Sequence, residues 1–389
     1  MTASMARFEG YARRDGSVGV RNHVLVMSIT GLTGPTARRI GRVVTGTKVI
    51  ATPFGSGLMG EDADVQTRSL VAFGRHPNVG AVLVIGASPP KVREIADAIA
   101  SSGKPVEALI LDDCDHDAIT MTERGIRIAA RLVREASRQR RETFTLDRLN
   151  LALECGRSDP SSGLVANPLV GQVVDGVIGA GGRAVFGETI EWLGAEHLLI
   201  ERASNASVAT AIREAVQRRE QLAIDAGLDL LGNNPGPTNI AGGLSTIEEK
   251  SLGAIAKGGS SPIRGVVSIA QPLPGPGLYV MDAPAYAPES VTGLVASGAQ
   301  LALFTTGAGN SFVSGLAPTI KISANPVATA RLREQLDFDA SEVFASRETF
   351  ESAASRLTAL MTDVASGALT WGEILDEGED VVSRLGPAL

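Results

Sequence analysis

A short polar segment at residues 154–159 holds the most reactive combination of side chains in the sequence, Glu-Cys-Gly-Arg-Ser-Asp. Cys155, Ser158 and Asp159 bring a thiol, a hydroxyl and a carboxylate to the end of an apolar run. Such a set could ligate a divalent metal or supply an acid and a base. A small, buried and inert cysteine is the alternative interpretation of Cys155.

A second polar segment, residues 232–243, is rich in Asn, Gly and Pro. The amides of Asn233, Asn234 and Asn239, with bare backbone, form an oxygen-rich surface that suits a hard cation or a polyhydroxy acid. Ser245 and Glu248 have capping-box spacing, which predicts a helix that starts near residue 246. Glu248 is therefore a candidate acid or base, unless it only complements the positive helix end.

The N-terminal segment, residues 10–22, concentrates arginines directly before the first apolar run. Guanidinium groups grip planar carboxylates with two hydrogen bonds, so Arg14, Arg21 and Asn22 are candidates for a clamp on an acid substrate. A surface hairpin with Asp-Gly as its turn is the alternative interpretation.

Two further polar turns follow apolar runs near the middle of the chain. Asp282 is a candidate ligand or base, and Thr305 and Thr306 are candidates for substrate binding. The Thr-Thr-Gly-Ala-Gly-Asn turn at 305–310 lacks the Lys and the spacing of a phosphate-binding loop, which argues against a nucleotide.

The segment Asp-Asp-Cys-Asp-His-Asp at 112–117 resembles a metal site only in composition. Its spacing matches no zinc pattern. A strand-to-helix turn capped by Asp115 or Asp117 explains it more simply.

The elements that must position these residues alternate between apolar runs and amphipathic stretches. In the first half we predict strands at 23–29, 48–52, 81–85 and 106–111, with helices between them. From residue 149 a second series follows, with strands beginning at 149 and at 183–186, 278–281 and 301–305. The pattern predicts an α/β protein with two parallel-sheet domains, 1–147 and 148–326, helices on both faces, and a helical C-terminal segment, 327–389.

Ligands of open α/β sheets bind outside the carboxyl ends of the strands, where most of these polar turns lie. We therefore predict one site, with the metal, if there is one, held by Cys155, Asp159 and Asp282. The catalytic candidates are Cys155, Asp159, Glu248 and Asp282. The candidates for substrate binding are Arg14, Arg21, Asn22, Ser158, Asn233, Asn234, Asn239, Thr305 and Thr306.

Composition excludes several classes of protein. The 389 residues carry a net charge of −7, and 44% of them are hydrophobic, so the chain can bury a core and shows no basic footprint for nucleic acid. No apolar run reaches the roughly 18 residues of a membrane span. Two cysteines are too few for a disulfide framework, which favours a reducing, cytoplasmic location.

The polar segments resemble, in order, those of the altronate and galactarate dehydratases and of the large subunit of the related sulfolactate sulfo-lyase. The resemblance covers about 330 residues. It runs through the segments at 10–22, 75–86, 154–171, 186–197, 232–253 and 291–307. It implies a cytoplasmic lyase that removes water or sulfite from a small hydroxy acid or sugar acid. It also implies an enediolate stabilised by Fe²⁺ or a comparable divalent metal, such as Mn²⁺ or Mg²⁺.

The chain departs from this family at several reactive positions. Residues 54–58 and 87–90 replace turns that usually carry His and Cys, and Ala254 replaces a further Cys. Ile240 and Ala308 stand where the family has a Lys and an Arg. These changes leave open a harder, oxygen-ligated metal or none. They also leave open a catalytically altered homologue, either an isomerase or hydrolase on a related acid or a non-catalytic binding subunit.

The resemblance also implies partners. Single-chain relatives begin with a small β-rich domain that has no counterpart before Gly10, so we expect a separate small β-rich subunit, docked near the N-terminal turn and the site. We also expect a homo-oligomer, with no nucleic acid and no membrane partner.

Overall fold

The structure, a computed structural model, describes residues 6–55, 57–230 and 232–383. Its first sheet consists of four parallel strands, β3 (His23–Ser28), β4 (Thr47–Ala51), β5 (Val79–Gly86) and β6 (Val106–Ile110). They lie in the order β4-β3-β5-β6. Every residue of β5 is buried, as expected for a central parallel strand covered on both faces. The helices of this part are α1 (Gly34–Val43), α2 (Gly60–Arg75), α3 (Pro89–Ala100) and α4 (Ala118–Ala136).

The second sheet has seven parallel strands. They are β8 (Asn150–Cys155), β9 (Arg183–Phe186), β10 (Ile263–Ser268), β11 (Gly277–Asp282), β12 (Leu301–Thr305), β13 (Thr319–Ser323) and β14 (Phe338–Asp339). Their order in the sheet is β10-β11-β9-β8-β12-β13-β14. Large apolar clusters lie between the sheet and its helices.

The helices of this second part are of unequal length. A π-helical turn at Ser162–Ala166 precedes the first of them. The longer helices are α5 (Asn167–Gly179), α7 (Ala206–Asp225), α9 (Ile247–Ile255), α10 (Ala287–Ala296) and α13 (Phe350–Ala365). The shorter helices are α6 (Glu196–Glu201), α8 (Pro237–Ala241), α11 (Pro326–Arg331), α12 (Ser341–Phe344) and α14 (Trp371–Ile374).

The predicted fold class, two parallel α/β sheets and a helical C-terminal segment, is confirmed. The domain boundaries after residues 147 and 326 stay predictions. Asp117 caps α4, as one of the two sequence alternatives proposed, because its side chain accepts hydrogen bonds from the backbone N–H groups of Ile119 and Thr120. In the described part of the chain, none of the helices has the length and hydrophobicity that crossing a bilayer requires.

A third, antiparallel sheet was not predicted. It consists of β1 (Arg7–Ala12), β2 (Val18–Gly19) and β7 (Glu142–Thr145), in the order β2-β1-β7. The N-terminal segment thus begins as a hairpin with its turn at Asp15 and Gly16, the alternative that the sequence left open.

The strand order of the large sheet defines a switch point between β8 and β12. From β8 the chain continues to β9 on one side, whereas β12 and β13 lie on the other side. The connections therefore diverge between β8 and β12, where Cys155 is paired with Thr305. A crevice at such a switch point, outside the carboxyl ends of the strands, is the usual ligand site of open α/β sheets.

Candidate functional site

Cys155 lies at this switch point, at the carboxyl end of β8. The residue is 2% exposed, and its Sγ lies 2.6 Å from the Ser158 Oγ. Asn167 of α5 donates a hydrogen bond to the sulfur (3.5 Å) and accepts one from Thr305 (2.5 Å). Burial raises the pKa of the Cys155 thiol, so near neutral pH it carries a proton that it could donate.

Beside the thiol lies a buried group of charged side chains that we name the Lys–Glu cluster. Lys250 of α9 pairs with Glu191 at 2.7 Å, and both also contact the Asn234 side chain. Although burial lowers the pKa of Lys250, the adjacent Glu191 raises it above its ordinary value. The ammonium is therefore a fixed positive charge. The cluster consists of Glu154, Glu188, Glu191, Lys250 and Lys257.

The second pair of the Lys–Glu cluster is more deeply buried. Lys257 Nζ lies 2.5 Å from a carboxylate oxygen of Glu188, and both side chains are 1% exposed. Burial raises the pKa of Glu188 to about 7, although Lys257 opposes that shift. Burial also raises the pKa of Glu154 well above its usual range, and the charge of Glu188 adds to this.

Several oxygens of the cluster lack hydrogen-bond partners among the described residues. They belong to the three carboxyl groups, namely Glu154 Oε1, Glu188 Oε1 and Glu191 Oε2. Buried polar atoms are rarely left without a partner, so these atoms mark a place for a ligand, water or a transferable proton.

The cluster opens into a cleft of about 770 Å³. Glu191, Lys250 and Cys155 reach its wall, whereas Lys257 and Glu188 do not. Around them the wall is formed by Gly156, Arg157, Ala285, Tyr286, Ala287, Pro288, Asn310, Ser311, Phe312, Glu377, Glu379 and Val381. A cleft of this size, with convergent polar groups, is a reasonable site for a small acid.

The Asn-rich loop is docked onto the turn after β8. Asn239 donates a hydrogen bond to the Ser158 carbonyl oxygen (2.8 Å) and accepts one from the backbone of Gly236 (3.0 Å). Asn234 is buried at Lys250, whereas Asn233 is exposed. Asn239 thus lies against the turn that carries Ser158, whereas Asn234 lies at Lys250 and Glu191. Their roles in substrate binding stay predictions.

Asp159 connects neighbouring turns of the site through hydrogen bonds to its carboxylate. Its carboxylate accepts hydrogen bonds from Ser161 (2.6 Å), from the backbone of Ser162 (3.1 Å) and from Asn325 (2.7 Å). A Cβ added at Gly307 would lie 2.2 Å from the Asp159 carboxyl carbon. Asp159, in the turn after β8, therefore contacts both the turn after β12, at Gly307, and the turn after β13, at Asn325.

The other candidates lie in different surroundings. Glu248 is exposed on α9, against Gly194, and Thr306 accepts a hydrogen bond from the backbone of Gly309 (3.0 Å). Asp282 lies 3.0 Å from each of the two guanidinium groups of Arg218 and Arg219, which lower its pKa against the effect of burial. The structure does not bring Glu248 or Asp282 to the Lys–Glu cluster, and their catalytic roles stay predictions.

The N-terminal candidates are held at the amino ends of the strands. Arg21 is buried and forms a bidentate ion pair with Glu373 of α14, at 2.7 and 2.8 Å. Asn22 accepts a hydrogen bond from Arg13 and donates one to the carbonyl of Ala136. Arg14 is exposed. These contacts join the N-terminal and C-terminal segments, and the predicted clamp function stays untested.

The donor set does not fit a divalent metal. Among residues 6–55, 57–230 and 232–383, no three His, Cys, Asp or Glu side chains are grouped as ligands. Two of the glutamates in the cluster are already paired with lysines, and the Glu154 carboxyl is hydrogen-bonded to Ser290 (2.8 Å). The predicted ligands Cys155, Asp159 and Asp282 do not converge on one position.

The Lys–Glu cluster was not predicted as a unit. Glu154, Glu188, Glu191 and Lys250 lie within the segments at 154–171, 186–197 and 232–253 that the sequence singled out, whereas Lys257 lies in none of them. The helical spacing of Glu248 and Lys250 could have indicated the buried lysine. The two residues are two positions apart, and a rotation of about 200° places their side chains on opposite faces of the helix, so that when Glu248 faces solvent Lys250 faces the protein.

Comparison with known proteins identifies the family of the chain. The family model for the C-terminal part of D-galactarate/altronate dehydratase matches residues 146–388, and that for the second domain of D-galactarate dehydratase/altronate hydrolase matches 10–137. Altronate dehydratase of Bacillus subtilis is 31% identical over 393 residues, covering 98% of this chain and 78% of that protein.

Two more relatives are similar over most of the chain. Galactarate dehydratase (L-threo-forming) of Escherichia coli is 31% identical over 387 residues, 92% of this chain and 73% of that protein. The beta subunit of (2R)-sulfolactate sulfo-lyase of Chromohalobacter salexigens is 37% identical over 382 residues, 97% of each chain. The chain belongs to the D-galactarate/altronate dehydratase family.

Proposed function

We propose that the chain is the large subunit of a lyase that eliminates water or sulfite from a small hydroxy acid or sugar acid. One observation carries the proposal: a buried lysine–glutamate pair and a protonated thiol share a cleft at the switch point of the sheet. The names of the relatives support the same class of reaction.

Each side chain in the cleft has a step that suits its chemistry. The unpartnered Oε2 of Glu191 would take the proton next to the substrate carboxylate. The Lys250 ammonium would stabilise the enediolate that forms as this C–H bond breaks. The bond to the leaving group breaks as the carbon–carbon double bond forms, and the Cys155 thiol would protonate a departing hydroxyl. The enol product then becomes a 2-keto acid.

We also propose a separate partner subunit. The supporting observation is that a protein named as a beta subunit matches this chain over 97% of both lengths, whereas the matched altronate dehydratases extend beyond the matched region. The small β-rich character of the partner, the homo-oligomer and the cytoplasmic location stay predictions.

A product assay tests the function. The tagged chain, isolated from its own host with any bound partner, is incubated with a panel of sugar acids and with 3-sulfolactate. Parallel incubations contain Fe²⁺, Mn²⁺ or Mg²⁺. We expect a 2-keto acid, accompanied by sulfite for the sulfonate. The proposal fails if the panel yields neither product, and exchange of the proton at carbon 2 without elimination would indicate an isomerase instead.

A further inference from the structure

Arg157, in the turn after β8, has a backbone conformation that ordinarily favours glycine. Its φ is 55°, in the left-handed region. That conformation is strained for an L-residue, whereas glycine adopts it freely. Its carbonyl accepts hydrogen bonds from the backbone of Gly307 (3.3 Å) and Ala308 (3.1 Å), which hold the turn in place. Residues in strained backbone conformations often lie at functional sites, so the contacts of the Arg157 side chain matter for the site.

The Arg157 side chain lines the cleft and is exposed. Within the described ranges, its guanidinium donates no hydrogen bond and forms no ion pair. The other cation of the cleft wall, Lys250, is neutralised by Glu191. Arg157 is therefore the cation of this wall that has no counter-ion.

Two carboxylates of the cleft wall determine where an anionic group of a ligand can bind. Glu377 and Glu379 also line the cleft, and neither is paired with Arg157. Their charges disfavour a free anion near them, so a substrate with two anionic groups needs a cation that is not already neutralised. A guanidinium fork suits both a carboxylate and a sulfonate, because each presents two oxygens side by side.

We infer that Arg157 binds a second anionic group of the substrate, a carboxylate or sulfonate remote from the carbon that loses its proton. This inference rests on the proposed function and narrows the substrate to a dianion. Arg157 is then a specificity-determining residue, and the single-anion acids are poor substrates.

Binding of unreactive acids tests this without turnover. Calorimetry compares succinate and 3-sulfopropionate, which carry two anionic groups, with butyrate, which carries one. The full chain, with its partner if one is bound, is expected to bind at least one dianion about 100-fold more tightly than butyrate. Whichever dianion binds more tightly distinguishes a carboxylate from a sulfonate.

Three variants complete the test. Arg157→Gln removes the charge, Arg157→Gly removes the charge and relieves the backbone, and Arg131→Gln removes an equivalent charge from an exposed position on α4. We expect both Arg157 variants to lose the dianion preference without losing thermal stability, and Arg131→Gln to keep it. Wild-type affinity for dianions in Arg157→Gln, or no dianion preference in the wild type, would overturn the inference. A dianion preference without elimination would overturn only the proposed function.

Discussion

The Lys257–Glu188 pair allows a quantitative test of how the site is built. Both side chains are 1% exposed and lie 2.5 Å apart. Removing one partner of such a pair leaves an uncompensated buried charge and costs about 3–5 kcal/mol of stability. We expect Glu188→Gln and Lys257→Met each to lower the free energy of unfolding by about 3 kcal/mol near pH 7.

The two variants should differ in their dependence on pH. The pKa of Glu188 in the folded protein, about 7, is above its ordinary value of 4.5, so the folded state holds this proton more tightly than the unfolded state. The associated stability is present at low pH and is lost as pH rises through about 7. Above that pH the contribution of Glu188 to this loss levels off in the wild type, because Glu188 is then ionised in both states.

Lys257→Met removes the attraction that opposes the effect of burial, so the pKa of Glu188 rises further. Its carboxyl then stays protonated above pH 7, and stability continues to fall. The slope approaches about 1.4 kcal/mol per pH unit between pH 7 and 8. Glu154, whose pKa Lys257 also lowers, shifts in the same direction. Glu188→Gln has no carboxyl at this position and should not show the added slope.

Urea unfolding at several pH values measures these differences. The fluorescence of Trp192 is a local probe, because its ring is buried and lies 6.0 Å from that of Phe186, close to the pair. The double variant should lose less stability than the sum of the two single variants. Parallel pH profiles for Lys257→Met and Glu188→Gln would refute the reasoning, because they would show that Glu188 does not titrate as proposed.

Three further substitutions and one control variant, Gly179→Ala, separate catalytic from structural roles. Lys250→Met should lower kcat by about 10³-fold, and an unchanged kcat would refute its role in enediolate stabilisation. Gly307→Ala forces a Cβ against Asp159 and should cost about 1–3 kcal/mol in thermal or urea unfolding, whereas Gly179→Ala, with open space around it, should cost nothing. Arg21→Met should lower stability by about 3 kcal/mol, and a raised KM with unchanged stability would instead support the predicted substrate clamp.

Much of the fold follows from local pattern. Strands 183–186 and 301–305 were predicted with the bounds that the structure shows, because buried parallel strands are continuous apolar runs ended by Gly-rich or polar turns. The antiparallel sheet was missed because β1 and β7 pair residues that are more than 130 positions apart. The alternation of more and less buried residues along β1 does not encode which distant strand pairs with it.

The candidate residues that lie at the end of a strand were predicted from the sequence. The lysines that a helix and its following turn bring to the Lys–Glu cluster by packing were missed. Cys155 is the last residue of β8 and Ser158 lies in the turn that follows, so the rule for parallel sheets finds them. Lys250 and Lys257 lie on a helix and the turn after it, where lysines are ordinarily solvated. Their partners are 59 and 69 residues away, and no spacing in the sequence encodes those ion pairs.

The N-terminal arginines were predicted as a substrate clamp, a function that stays untested, and they lie at the amino end of a strand. Residues 10–22 directly precede β3 and therefore lie at its amino end, whereas ligands of such sheets bind at the carboxyl end. Arg21 accordingly finds its carboxylate within the chain, at Glu373. Arg157 follows β8 at the carboxyl end and has no internal partner among the described residues. The end of the strand, more than the type of residue, thus decides which guanidinium is available for a substrate.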